Sequence, residues 1–382
     1  LAKVNHSQGT NISLVLTQEE WKFYKKNSKE FTMITEGLKG RDFITLRDFT
    51  REEIDTMLDV ALQLKADNTM RRRHMDILPG RTLFMMFFNP SLRTRNSFET
   101  GIFELGGHAN FLVPEATRLP TLEGEDQGYG SERISDVARV LSRMGACIAI
   151  RILGDKVGWE YDKSLRIIKE FAKYAHVPVI NMEDNIYHPC QGMADVMTLR
   201  EMFGRDLRGR KLGVAWSWGS SPKKPIAPHH DFMYAASLYG ADIVFSRPPE
   251  MRIDPDIEQA IKANVEASGG SYRVSDRMED ACEGADIVYA KNYVALDLLP
   301  PVTQKPEQDE MVKLFGKYKD WIADEKRMNM AKPTAQYMHC LPCERGAEVS
   351  DAVLDGKWGT ACYNEAENRL HAQKGVMACI IP

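Results

Sequence analysis

From residue 81 onward the chain alternates short apolar runs with segments of helical periodicity, so strands and helices are expected to take turns. Strands are predicted at 81–88, 108–113, 147–153 and 177–182. Between the last two, Leu165, Ile168, Ala172 and Ala175 recur at helical spacing and predict one apolar stripe. A second series of apolar runs falls at 211–218, 241–246, 271–274, 286–291 and 335–340. The segments between them, such as 230–239 and 254–267, are free of proline beyond the first turn and read as helices. This order predicts an α/β fold of two doubly wound parallel-sheet halves. The stretch 188–204 has a helix-forming middle and a glycine stop at Gly204, and it is the expected joining element. A last helical run, 364–381, is expected to return to the first half and tie the lobes together. The first forty residues carry no strong pattern.

Composition narrows the function classes. A chain of 382 residues favours two domains and hence a cleft between them. Its 50 basic and 54 acidic side chains leave a charge of −4, which excludes a nucleic-acid binder held mainly by phosphate neutralisation. With 43% hydrophobic residues the chain has ample core to bury, so disorder is not expected. No apolar run is long enough to span a bilayer, and the polar start lacks a signal or transit pattern. A cytoplasmic protein with no membrane partner is expected. The sequons at Asn5 and Asn11 would need a secretory context and are discounted. Seven cysteines, an odd number without a compact framework, are expected to be reduced.

The strongest local signal is Asn89-Pro-Ser-Leu-Arg-Thr-Arg, directly after a strand and opening a helix. Hydroxyls and guanidinium groups beside the unpaired N–H groups of a helix start suit a phosphate dianion, with Ser91, Arg93, Thr94 and Arg95 as candidates. The plainer alternative is an N-cap with exposed arginines. No Gly-x-Gly-x-x-Gly follows the first strand and no P-loop occurs, so nucleotide readings lose their usual support and no cofactor is expected. His188 and Gln191, three residues apart, would share one helix face and reach one substrate oxygen, unless His188 merely caps the helix. His339-Cys-Leu-Pro-Cys ends the last strand, where open α/β sheets border their ligand crevice. Its Cys-x-x-Cys invites a zinc or redox reading, but no second ligand pair at zinc spacing appears and no metal is expected. His229-His230 suggests a surface or packing role. The segment from Asn364 to Lys374, with acid before base, reads as an amphipathic helix.

Taken together and in this order, these segments resemble the aspartate/ornithine carbamoyltransferase superfamily. Ser91-Leu92-Arg93-Thr94-Arg95 is similar to its carbamoyl-phosphate loop, with Leu92 where many members carry threonine. His188-Pro-Cys-Gln191, His339-Cys-Leu-Pro342 and the segment around Arg369 are similar to its other signatures. Phe87-Phe-Asn-Pro-Ser, Leu105-Gly-Gly-His-Ala, Val137-Ala-Arg-Val-Leu, Val177-Pro-Val-Ile-Asn-Met-Glu183 and Tyr289-Ala-Lys291 look most like the N-acetylornithine branch, whose second domain is knotted. The proline-rich stretch 216–228 would be the knot loop.

The resemblance implies transfer of the carbamoyl group of carbamoyl phosphate to a small amine, by a homotrimer with sites shared between subunits. It implies a carbamoyl-phosphate domain at 41–187, completed by the helix 364–382, and an acceptor domain at 188–363. Ser91, Leu92, Arg93 and Thr94 would hold the phosphate, with Arg151 adding charge. Thr94, Arg151 and His188 would polarise the carbonyl, while Gln191, the Leu341 backbone and Arg369 orient the carbamoyl group. Cys340 would sit near the amine, and Glu183, Lys291 and Arg345 would contact the acceptor.

Several residues depart from the branch. The Ser-Met-Gly loop of ornithine enzymes is absent and Lys291-Asn-Tyr stands there, which argues against free ornithine. Yet Cys343-Glu-Arg-Gly and Glu348 replace the branch's paired arginines and carboxylatable lysine, a pattern closer to ornithine or putrescine enzymes. The branch's loop tryptophan is replaced near Leu119. The rivals are therefore another amine as acceptor, a homologue that binds carbamoyl phosphate without turnover, and a thiol redox protein using Cys340 and Cys343.

Overall fold

The computed structural model describes residues 37–114, 118–125, 128–299 and 308–382; the two sequons lie outside them. The first half contains α1 (Arg51–Thr69), β1 (Thr82–Phe87), α2 (Leu92–Glu104), β2 (His108–Leu112), β3 (Leu119–Thr121), β4 (Ser131–Arg133), α3 (Ile134–Ser142), β5 (Cys147–Arg151), α4 (Lys163–Tyr174) and β6 (Val179–Glu183). Helix α5 (Pro189–Phe203) leads into the second half. That half contains β7 (Lys211–Trp216), α6 (Ala227–Ser237), β8 (Asp242–Ser246), α7 (Pro255–Ser268), β9 (Ser271–Ser275), α8 (Met278–Cys282), β10 (Ile287–Lys291), α9 (Gln308–Gly316), α10 (Glu325–Met328), β11 (Gln336–Met338) and α11 (Asp351–Leu354). Helix α12 (Thr360–Ile380) closes the chain.

The sheets run β2-β1-β5-β6 and β11-β10-β7-β8-β9, and every pairing in them is parallel. Strand order reverses between β1 and β5 in one sheet and between β7 and β10 in the other. Loops part in opposite directions at such points and leave a crevice at the carboxyl ends of the strands. All nine strands of these sheets match predicted runs. The additional pair β3–β4 has three residues per strand, too short for alternation to register.

Three expectations need correction. The buried face of α4 centres on Ser164, Ile167, Ile168 and Phe171, with Leu165, Ala172 and Ala175 only half-buried at its border. Strand β11 stops at Met338 because the chain turns there, with Leu341 at a φ of 51°. Helix α12 is not amphipathic. Glu365, Asn368, Arg369, His371, Gln373 and Lys374 are all buried, since the helix threads between α1, α2 and α5. Asn368 donates to Thr198 on α5 at 2.9 Å, and Lys374 pairs with Glu104 on α2 at 2.5 Å. A Cβ added at Gly375 would meet the Met57 carbonyl of α1 at 2.4 Å, so this crossing requires glycine. The returning helix thus joins the lobes through polar bonds that apolar periodicity cannot reveal.

Candidate active site

The crevice holds a cavity of about 550 Å³. Its first wall begins at α2, whose N-terminus is fixed by Ser91: the Oγ accepts the Thr94 N–H at 3.3 Å. Phe98 and Ile102 anchor the helix in the core, and its first turn, with unpaired N–H groups, faces the cavity. Asn89 ties this loop to the one after β5 by accepting the Leu153 N–H at 2.9 Å. Asn185 accepts the Gly154 N–H at 2.8 Å and braces the same loop from behind. The β5–β6 register shifts between Ile150 and Arg151, which sets Arg151 opposite Glu183, and the two form a salt bridge.

Arg93, Thr94, Arg151, Glu183 and His188 line this wall, and Arg369 reaches it from α12. Arg369 donates to Thr94 Oγ1 at 2.9 Å and to Gln191 Oε1 at 2.8 Å. Burial lowers the pKa of all three guanidinium groups. Arg369 and Arg93 add to that effect on Arg151, which is pushed down to about 9. Arg93 has no carboxylate within salt-bridge distance among the described residues. Such crowded cations are stabilised by an incoming anion. Burial and the same three arginines hold His188 well below the usual histidine range, so its ring is neutral.

The opposite wall comes from the strand ends of the second sheet. Lys291, at the end of β10, is buried and donates to the carbonyls of Asn292 at 2.7 Å and Pro225 at 3.3 Å. Glu348 accepts the N–H groups of Asn292 at 2.8 Å and Glu344 at 2.6 Å, with His339 Nε2 at 3.6 Å. Burial works to raise its carboxyl, but His339, Lys291 and the Asn292 N–H prevail and hold it at about 2. His339 Nδ1 accepts the Leu341 N–H at 2.8 Å, which fixes the backbone of a residue that lines the cavity. Burial pushes the Cys340 thiol up to about 11, so it is protonated at neutral pH.

The structure therefore gathers Ser91, Leu92, Arg93, Thr94, Arg151, Glu183, His188, Lys291, Cys340, Leu341 and Arg369 around one cavity. Gln191 does not line it. His188 lines the cavity from the N-cap, whereas Gln191 is buried and bonded to Arg369. Arg345 lies apart, committed to Asp351 and Asp355 at the surface. Arg95 points to the outer face of α2, where it pairs with Glu99 at 3.5 Å and stacks on Phe111. That face carries a second groove of about 670 Å³, where the arginine stands beside the exposed Glu99. His229 and His230 are both buried and pack inside the second lobe. Sequence reading missed Trp159, Lys223, Lys224 and Asn292. The lysine pair beside Pro225 in a loop after a strand was the available signal.

Two parallel-sheet lobes with a cationic crevice at both reversal points define an enzyme that handles a small anion between domains. The amino-terminal part, residues 41–201, matches the aspartate/ornithine carbamoyltransferase carbamoyl-P binding domain, and residues 228–380 match the Asp/Orn binding domain of the same family. The chain is 37% identical over 347 residues to the N-acetylornithine carbamoyltransferase of Xanthomonas campestris pv. campestris, covering 89% of this chain and 98% of that one. It is 36% identical to the ornithine carbamoyltransferase of Thermococcus kodakarensis, covering 90% and 98%. A crystal structure of acetylornithine transcarbamylase complexed with acetylcitrulline superposes with a TM-score of 0.81 at 35% identity, covering 90% of this chain and 99% of that one. The chain belongs to the aspartate/ornithine carbamoyltransferase family and is an enzyme of that family. No described helix is long and apolar enough to cross a membrane.

Proposed function

We propose that this enzyme transfers the carbamoyl group of carbamoyl phosphate to the primary amine of an N-acylated ornithine, with N-acetylornithine as the leading acceptor. The observation that carries the reading is the convergence of Arg93, Arg151 and Arg369 on one cavity whose far wall presents Lys291. The first turn of α2 and Arg93 hold the phosphate. Thr94, Arg151 and the neutral His188 act on the carbonyl oxygen as negative charge develops there. Arg369, fixed by Gln191, orients the carbamoyl group, and the Cys340 thiol stands near the incoming nitrogen without acylation. The amine attacks in its neutral form and gives up a proton to an oxygen of the departing phosphate. Lys291, with Lys223 and Lys224 nearby, receives the acceptor's carboxylate.

Glu348 supports an acceptor whose α-amine is blocked. Each of its oxygens accepts one backbone N–H and its charge faces His339 and Lys291, which favours an acceptor that brings no second cation. A second reading, free ornithine, is favoured by the Cys343–Glu348 segment and by the similarity to an ornithine enzyme. The reading includes a domain boundary at 187/188, a cytoplasmic homotrimer with sites at subunit contacts, and a knot formed around the 216–228 loop. Incubating the enzyme with carbamoyl phosphate and N-acetylornithine, N-succinylornithine, ornithine or putrescine, then weighing the products by mass spectrometry, decides among acceptors. Absence of any ureido product would reject the activity.

A further inference from the structure

Beneath Arg369, two acidic side chains from different elements meet out of contact with solvent. Asp195 lies on α5 and Glu365 on α12, and both are fully buried. Their carboxyl groups converge on one amide nitrogen. Gln191 Nε2 donates to Glu365 Oε1 at 2.6 Å and to Asp195 Oδ1 at 2.7 Å. The other Glu365 oxygen accepts the His339 N–H at 3.0 Å, so both its oxygens act as acceptors. Asp195 Oδ2 is buried and finds no partner while it is counted as an acceptor. A proton on that oxygen resolves the mismatch, because two bare carboxylates in contact repel whereas an acid donates to its neighbour.

We propose that Asp195 and Glu365 share one proton, carried on Asp195 Oδ2, and that this pair positions Gln191 and Arg369 for the reaction. The catalytic part rests on the carbamoyl-transfer reading; the shared proton does not. With Asp195 neutral, the single charge of Glu365 balances the single charge of Arg369. The Gln191 amide is then fixed with its nitrogen toward the acids and its oxygen toward Arg369, which leaves the second Arg369 nitrogen for Thr94. Other titratable groups facing the pair are Cys362 on α12, Asp231 on α6, Tyr289 on β10 and Cys340 beyond β11. Burial raises the pKa of both acids; their interaction raises Glu365 and lowers Asp195, so the placement on Asp195 rests on the hydrogen bonds, both Glu365 oxygens already accepting N–H groups. Loss of the shared proton as pH rises adds a second buried negative charge, which draws Arg369 away from Thr94.

Infrared difference spectroscopy of wild type against Asp195→Asn tests the proton without substrate. The expected result is loss of the carbonyl stretch of a buried carboxylic acid, and the same band should fade in the wild-type protein on alkaline titration. Kinetics test the positioning role. Asparagine still accepts from Gln191 and donates to Glu365, so Asp195→Asn should keep kcat within about threefold and move the alkaline fall of kcat upward by about one pH unit. Glu365→Gln sets an amide N–H against an N–H donor and removes the counter-charge, so kcat should fall by more than about tenfold and Tm should drop as well, while circular dichroism shows the fold intact at the assay temperature. No acid band in the wild type would overturn the shared proton. Equal loss of kcat in Asp195→Asn and Glu365→Gln, with the fold intact, would overturn the positioning role.

Discussion

Replacing Arg93 with alanine removes a cation whose surroundings give it no structural task. The side chain is half-buried, faces the cavity and lacks a carboxylate partner among the described residues, while burial and the nearby Arg369 lower its pKa. A hydrogen bond from a charged donor contributes about 1.5–3 kcal/mol, and a guanidinium beside a phosphate makes up to two. Alanine also relieves repulsion among the three arginines, which offsets part of the loss. A net loss of about 3 kcal/mol corresponds to about 150-fold in kcat/KM for carbamoyl phosphate. The assay is initial-rate kinetics at saturating acceptor, with circular dichroism and Tm to confirm the fold. Because nothing in the core depends on this side chain, Tm should hold. A variant that saturates with carbamoyl phosphate within about threefold of wild type would refute the phosphate role.

The other predictions concern the acceptor wall. Lys291→Ala should raise KM for the acceptor more than for carbamoyl phosphate; the reverse pattern in two-substrate kinetics would reject its assignment. Glu348→Gln removes a carboxylate held at about 2 against an ordinary 4.5, a difference worth about 3 kcal/mol at neutral pH. Because the folded-state pKa is depressed, that stability is present above about 4.5 and is lost as pH falls toward 2. The Tm deficit of the variant should therefore be full at pH 7 and narrow below about 4.5, and a deficit independent of pH would contradict the charge. Arg345→Ala should leave acceptor kinetics within about twofold, since an exposed ion pair contributes little; a large rise in acceptor KM would place it back in the site.

Much of the scaffold could be read before any coordinates. The inner strands of both sheets are apolar because parallel sheets are covered on both faces, and continuous apolar runs are the easiest pattern to see, while the edge strands β2 and β9 are more polar and more exposed. The joining helix and the returning helix were also visible. Side-chain direction was not. Arg93 and Arg95 are two positions apart on one helix start and so must point to opposite sides, but only the packing of α2 decides that the first faces the cavity and the second points outward. Gln191 looked like a partner of His188 in contacting substrate, but it is bonded to Arg369 and only His188 lines the cavity. Arg345 looked like a site residue until Asp351 and Asp355, at the start and the C-cap of α11, claimed it.

By itself the sequence determined the alternation of strands and helices, the two lobes and the set of segments that carry polar chemistry, because each is a local property of periodicity or residue type. Tertiary structure decided the rest: which arginines converge, that Glu348 accepts backbone N–H groups, and that Asp195 meets Glu365 across 170 positions of chain. Those facts depend on the packing of α12 between α1, α2 and α5, where burial removes water as a partner. Once water is gone, each charged group must be answered by whichever neighbour the fold supplies.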